Sequence, residues 1–172
     1  MAKVLIVDDE RSIRETLREF IKELGHEVFT APDAPEAIET IERSLPDVVV
    51  CDIVLPGADG ISVLEHIHRT SSDTQVIMIT GEPTVETAAD AVRQTAFDYL
   101  AKPVSREDIQ DVVARALLTK QTKDAERQRA EDSARYREHL EEEVDRKGRA
   151  LEASQEDYRL LIENANEAVF VT

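Results

Sequence analysis

Asp8, Asp9, Asp52, Thr80 and Lys102 are the residues whose types and positions could do chemistry together. Asp8 and Asp9 follow the apolar run Val4 to Val7, and Asp52 follows Val48-Val49-Val50-Cys51. Thr80 follows Val76 to Ile79, while Lys102, with Pro103 after it, comes just past the segment Phe97 to Leu100. Three carboxylates brought into one crevice repel one another unless a cation neutralises them. Hard oxygen ligands in small number suit Mg²⁺, which keeps several waters and takes one or two carboxylates plus a phosphate. Lys102 then offers a compact positive charge to a phosphoryl oxygen, and the Thr80 hydroxyl can donate to another. The chain has no Gly-x-x-x-x-Gly-Lys loop and no Gly-rich turn after its first apolar run, so nucleotide phosphates have no cradle there.

The elements that must hold these groups are legible as an alternation. Val4–Val7, Val28–Phe29, Val48–Cys51, Val76–Ile79 and Phe97–Leu100 read as strands. Between and after them run helical stripes: Ile13, Leu17, Phe20, Ile21 and Leu24; Ala34, Ala37, Ile38 and Ile41; Ile61, Leu64 and Ile67; Val85, Ala88, Ala89 and Val92; Ile109, Val112, Val113, Ala116 and Leu117. Ser12 is the expected N-cap of the first helix, Gly25 its stop, and Ser105 the cap of the fifth. Successive βα units with short connections specify an α/β fold with a doubly wound parallel sheet and right-handed crossovers. In the strand order 2-1-3-4-5, strands one and three are neighbours at the switch point, so Asp8, Asp9 and Asp52 converge. Asp52 to Thr80 and Thr80 to Lys102 each span about one βα unit, as adjacent strands require.

Composition narrows the classes of partner. The 172 residues carry a formal charge of −16, which argues against a broad basic patch for nucleic acid or an anionic membrane. Residues 1–118 hold 11 basic and 23 acidic side chains, whereas 119–159 hold 10 and 12, so the acidity belongs to the front part. A single cysteine, Cys51, permits no intrachain disulfide and no thiolate zinc site, and no apolar run is long enough to span a bilayer. The start Met-Ala-Lys-Val leads into a strand rather than a signal peptide, so a cytoplasmic location is expected.

As a set, these residues resemble the receiver domain of two-component response regulators, a flavodoxin-like fold, over roughly residues 2–120. The resemblance implies that Asp52 is the phospho-accepting nucleophile. It implies that Asp8 and Asp9 bind Mg²⁺ with Asp52 and the Val54 backbone carbonyl, and that Lys102 pairs with the phosphoryl group. Thr80 matches the switch hydroxyl and Tyr99 the aromatic that changes rotamer with it, Pro103 is the cis-proline candidate, and Pro56 with Gly60 fits the loop after the nucleophile. The implied partner is a histidine kinase or phosphotransfer protein. Two departures stand out: Thr95 replaces a glycine that many receivers have after helix four, and the aliphatic Val54 replaces residues that help position an attacking water. Singly, Asp59 is expected to be a turn former or N-cap, Cys51 a small core residue, and His26, His66, His68 and His139 surface residues.

Past Ser105 no helix breaker occurs before Gly148, and the pattern can continue to about Asn164. Acid-before-base pairs recur at i,i+4, among them Glu131/Arg135, Glu142/Arg146, Glu143/Lys147 and Asp145/Arg149. Leu140, Val144, Leu151, Tyr158 and Leu161 share the a/d positions of one heptad frame, which runs back through Lys123, Glu126 and Arg137. The expected division is a receiver over 1–118, a helical linker forming a coiled-coil homodimer over 119–157, and a third part over 158–172. That last stretch resembles the opening of a PAS domain, an entry helix, turn and first strand, as in a piece of a longer sensor with a histidine kinase, diguanylate cyclase or other output. Two other classes compete: a coiled-coil scaffold with an inactive receiver, and a phosphatase of the haloacid dehalogenase type. The latter needs Asp-x-Asp after strand one, where this chain has Asp8-Asp9-Glu10.

Overall fold

The computed structural model describes residues 1–70, 73–81 and 95–169. Two compact units divide it, Met1–Asp124 and Ala125–Thr172. The elements run β1 (Lys3–Val7), α1 (Arg11–Lys22), β2 (Glu27–Ala31), α2 (Ala34–Ser44), β3 (Val48–Asp52), α3 (Gly60–Thr70), β4 (Gln75–Thr80), β5 (Asp98–Ala101) and α4 (Arg106–Val169). Between β3 and α3, Val54–Leu55 and Ala58–Asp59 pair as a short antiparallel ribbon. The expected stripe Val85, Ala88, Ala89 and Val92 lies outside the described residues.

The five strands form one parallel sheet in the order β2-β1-β3-β4-β5, as the alternation predicts. Successive side chains of a strand point to opposite faces, so a strand covered on both sides must be apolar throughout. Leu5, Val7, Val49, Cys51 and Met78 pack with Ala37, Ile41, Leu64 and Ile67 on one face. Val4, Ile6, Val48, Val50, Ile77 and Ile79 pack with Leu17 and Ile21 of α1 and with Ile109, Val112, Val113 and Ala116 of α4 on the other. Each large buried aliphatic contributes about 1.5–3 kcal/mol, so these two layers fix the strand ends where the polar groups sit.

Helix boundaries follow capping chemistry. Ser105 Oγ accepts the Asp108 amide at 3.1 Å and caps α4, and Asp33 accepts the Glu36 amide to cap α2. Ser12 is not a cap: α1 starts at Arg11 with Glu10 at the N-cap and no side-chain cap bond. The preceding turn is closed instead by Asp8, whose Oδ1 accepts the Glu10 amide at 2.9 Å. Two histidines are less exposed than the sequence predicts. His66 faces Glu42 at 3.5 Å from α3 to α2, and His26 keeps a buried Nδ1 beside β2, because the ring positions fall inside interhelix and sheet-edge packing rather than outside it.

Polar contacts extend the attachment of α4 within the first unit. Gln110 Nε2 donates to Phe20 O at 2.7 Å, Arg106 pairs with Glu23 at 2.9 Å, and Arg115 pairs with Asp98 at 2.7 Å. Lys120 reaches Asp47 at 3.3 Å and Asp124 at 2.9 Å.

The second unit is helical through Val169. Its heptad positions are open: Leu140 is 40% exposed, Leu151 60% and Tyr158 68%. Glu143 and Lys147 form the expected i,i+4 pair at 2.9 Å. The turn expected after Asn164 does not form: the helix runs on to Val169, and 158–169 contains neither Gly nor Pro. No helix among the described residues is long and apolar enough to cross a membrane.

Thr95, the departure noted in the sequence, enters the segment before β5 with φ of 61°, in the left-handed region. A β-branched residue is strained there, and glycine is not. Thr95→Gly should therefore stabilise the protein by about 1 kcal/mol. A higher denaturant midpoint at unchanged slope is the expected readout; no gain, or a loss, would contradict the strain.

Candidate functional site

Strand register brings the chemistry together. Val7 pairs with Cys51, so Asp8 and Asp52, one residue on, end adjacent strands. Asp52 pairs with Ile79, which places Thr80 next, and Thr80 pairs with Ala101, which places Lys102 next. At the centre of the carboxyl edge, oxygens of Asp8, Asp9 and Asp52 all lie within 4.8 Å of one another. Asp8 and Asp52 are buried, and Asp9 is exposed.

Lys102 Nζ lies 2.6 Å from Asp52 Oδ2 and 2.8 Å from Asp8 Oδ2. The other oxygen of Asp52 accepts the Val54 amide at 3.0 Å, so the carboxylate is held from both sides. Asp8 Oδ2 is buried and close to the lysine, yet it accepts no well-aligned hydrogen bond. Burial raises the Asp8 carboxyl above the ordinary carboxylate range, opposed by the adjacent Lys102 ammonium and by the hydrogen bond from the Glu10 amide. Burial alone would lower the Lys102 ammonium, but its bonds to Asp52 and Asp8 outweigh that and raise it. Two of the three acids, Asp8 and Asp52, share one lysine, which leaves a surplus of negative charge and a buried Asp8 oxygen without an aligned donor. That donor set fits a hard divalent cation.

The flanking positions are placed as follows. Thr80 is fully buried at the end of β4. Tyr99 pairs with Met78 in the β4–β5 register and packs, half-buried, on the same core layer; Thr80 shares the Met78 face, so Tyr99 and Thr80 are diagonal neighbours. The Lys102–Pro103 peptide is cis. Val54 presents an exposed side chain above Asp52.

Sequence reasoning placed Gly60 in the loop but missed why it must be glycine. A Cβ at Gly60 would overlap the Asp52 main-chain carbonyl, so the chain returning from the ribbon can lie against the strand end only without a side chain. A cavity of about 470 Å³ beside the site is lined by Ser12, Ile13, Thr16, Leu17, Lys102 and Val104, among others. Its apolar floor comes from α1 and the segment after Pro103, and no sequence pattern announces it.

A doubly wound parallel sheet carrying an aspartate triad, a buried hydroxyl and a lysine on its carboxyl edge is a flavodoxin-like fold with an acidic site at its switch point. Comparison with known proteins identifies it: residues 4–114 match the response regulator receiver domain, and the chain belongs to that family. It is 38% identical over 115 residues to the C4-dicarboxylate transport transcriptional regulatory protein DctD of Pseudomonas aeruginosa, covering 67% of this chain and 25% of that one. It is 39% identical over 123 residues to the probable transcriptional regulator ycf27 of Guillardia theta, covering 72% and 48%. The chain thus spans a quarter to about half of these relatives. Among solved structures, NtrX from Brucella abortus in complex with ATP matches with TM-score 0.69 at 36% identity, over 72% of this chain and 28% of that one. The beryllofluoride-activated NtrC4 receiver domain dimer matches with TM-score 0.67 at 35% identity, over 70% and 99%.

Charge crowding at the site has a measurable cost. Because burial holds the Asp8 carboxyl above its unfolded value, its unfavourable contribution is absent below the unfolded value and complete above the folded one. In metal-free protein near neutral pH, Asp8→Asn should raise unfolding stability by about 1 kcal/mol. The difference should shrink as pH falls through the folded value. A variant less stable than wild type in EDTA near neutrality would contradict it.

Proposed function

We propose that this chain is a two-component receiver that accepts a phosphoryl group on Asp52 from the phosphohistidine of a histidine kinase or phosphotransfer protein. The observation that carries the reading is the convergence of Asp8, Asp9 and Asp52 within 4.8 Å of one another, with the Lys102 ammonium paired to Asp8 and Asp52. An Asp52 carboxylate oxygen attacks phosphorus in line; the new O–P bond forms as the P–N bond breaks, and the imidazole nitrogen keeps the electron pair and is protonated. Lys102 neutralises an equatorial oxygen and holds Asp52 in place. Asp8, Asp9, Asp52 and the Val54 carbonyl would hold Mg²⁺, which supplies further charge neutralisation on the transferring group. The cavity of Ile13, Thr16, Leu17 and Val104 beside Lys102 suits an apolar helix face presented by the donor. The chain catalyses only its own phosphorylation and its reversal, and is otherwise no enzyme.

Phosphorylation adds negative charge, drawing the Thr80 hydroxyl toward the new oxygens and leaving room for its neighbour Tyr99 to turn inward. The changed face passes through α4 to a homodimer formed along Leu140, Val144, Leu151, Tyr158 and Leu161. Near-balanced charge over 119–159 lets two copies approach without strong repulsion. The exposed Leu160, Leu161 and Ile162 suit burial against a following PAS-like or other output module. A cytoplasmic location accords with a partner kinase of that compartment.

Loading with a small phosphodonor and Mg²⁺ should add one phosphoryl group to the wild type and none to Asp52→Asn. Labelling of the variant at wild-type yield would refute the assignment. With Val54 aliphatic and nothing there to position water, the acyl phosphate should be long-lived; turnover within seconds would sink that part. Beryllofluoride with Mg²⁺ should raise or reorganise the dimer seen by solution mass measurement, and a monomer under all conditions would exclude the helical relay.

A further inference from the structure

Arg14, on the first turns of α1, makes bonds that nothing in the reading above uses. Its Nη1 donates to the main-chain carbonyl of Asp8 at 2.6 Å and to that of Asp9 at 2.8 Å. These two carbonyls belong to the peptide planes on either side of Asp9. One nitrogen therefore fixes both planes and, with them, the direction in which the Asp9 side chain leaves the backbone. Asp9 is exposed, so packing does not set that direction. The same turn is closed from within by the Glu10 amide on Asp8 Oδ1, and α1 has neither a side-chain cap nor an acidic residue in its first turn.

A guanidinium this close to a helix N-terminus opposes the helix dipole, so its position is not explained by helix stability. Its place is accounted for by the two main-chain carbonyls it holds at the start of the helix. Lys102 plays the other role, standing on the carboxylate oxygens of Asp8 and Asp52 themselves, where an incoming cation needs ligands. Arg14 bonds main-chain carbonyls instead, and so leaves the carboxylate oxygens available to a cation.

We infer that Arg14 is a positioning residue for the divalent-cation site, orienting the Asp8–Asp9 turn through its two carbonyls; this rests on the magnesium reading of that site. Magnesium binding by the full chain, followed by calorimetry and by amide shifts, tests it, together with unfolding and amide hydrogen exchange in EDTA. Arg14→Met should weaken magnesium binding about tenfold or more, as loss of groups behind metal ligands does. The Glu10 amide should lose protection in that variant while Ile6 and Val50 keep theirs. Arg14→Lys, whose ammonium can still serve both carbonyls, should recover most of the affinity. Binding by Arg14→Met within twofold of wild type would overturn the inference. So would loss of protection that extends to Ile6 and Val50, or a lysine variant as weak as the methionine one. A wild-type chain that binds no magnesium while Asp52 still accepts a phosphoryl group would instead overturn the underlying cation reading.

Discussion

Like charges that cannot move apart govern this molecule. Asp8 and Asp52 sit at the ends of adjacent strands whose register is locked by Val7 against Cys51 and by Asp52 against Ile79, with apolar layers on both faces. A loop carrying three acids would relax by spreading them. A close-packed parallel sheet cannot, since each strand end is fixed by buried side chains several residues back. The repulsion is therefore stored, partly relieved by Lys102, and available to any group that brings positive charge or shares the lysine. Buried ionic clusters of this kind are weak evidence for stability and good evidence for a ligand.

Much of this arrangement could be read from residue order, for reasons that differ by element. Strands buried on both faces must be continuously apolar, so Val4–Val7, Val48–Cys51 and Val76–Ile79 announce themselves, and whatever polar residue follows each run must stand at a strand end. The α4 stripe Ile109, Val112, Val113, Ala116 and Leu117 is buried as its spacing predicts. Other features depend on groups that leave no mark in the pattern. Ser12 looks like a cap, but an aspartate two residues ahead of Glu10 had already closed the turn. Arg14 works through main-chain carbonyls, which every residue has. Gly60 matters because of a backbone eight residues earlier in the chain, not because of its own dihedral angles. His66 reads as a surface residue until α2 and α3 bring Glu42 to it. Near Asn164 the sequence resembles a helix end, but the helix continues to Val169 through a stretch with neither Gly nor Pro.

Magnitudes limit how a phosphoryl group could act on α4. Ile109, Val112, Val113 and Leu117 are buried against the sheet, at about 1.5–3 kcal/mol each. A phosphoryl group forms one to three charge-assisted hydrogen bonds, each worth roughly 1.5–3 kcal/mol net, and on the proposed reading most of that would go into holding Lys102 and Thr80. The surplus cannot undock the helix. It could rebalance the surface pairs beside it, Arg106 with Glu23 and Arg115 with Asp98, since exposed pairs contribute about 0–1 kcal/mol. On the proposed reading, a signal leaving this domain would therefore be a change in the chemistry of a face that stays assembled. The covalent route is short: Lys102 at the site is followed by Pro103, Val104 and the Ser105 cap, and then by the helix itself. On the proposed reading, a shift of Lys102 toward a phosphoryl oxygen would pull on the same few residues that set where α4 begins, a start marked by the capping bond between Ser105 and Asp108.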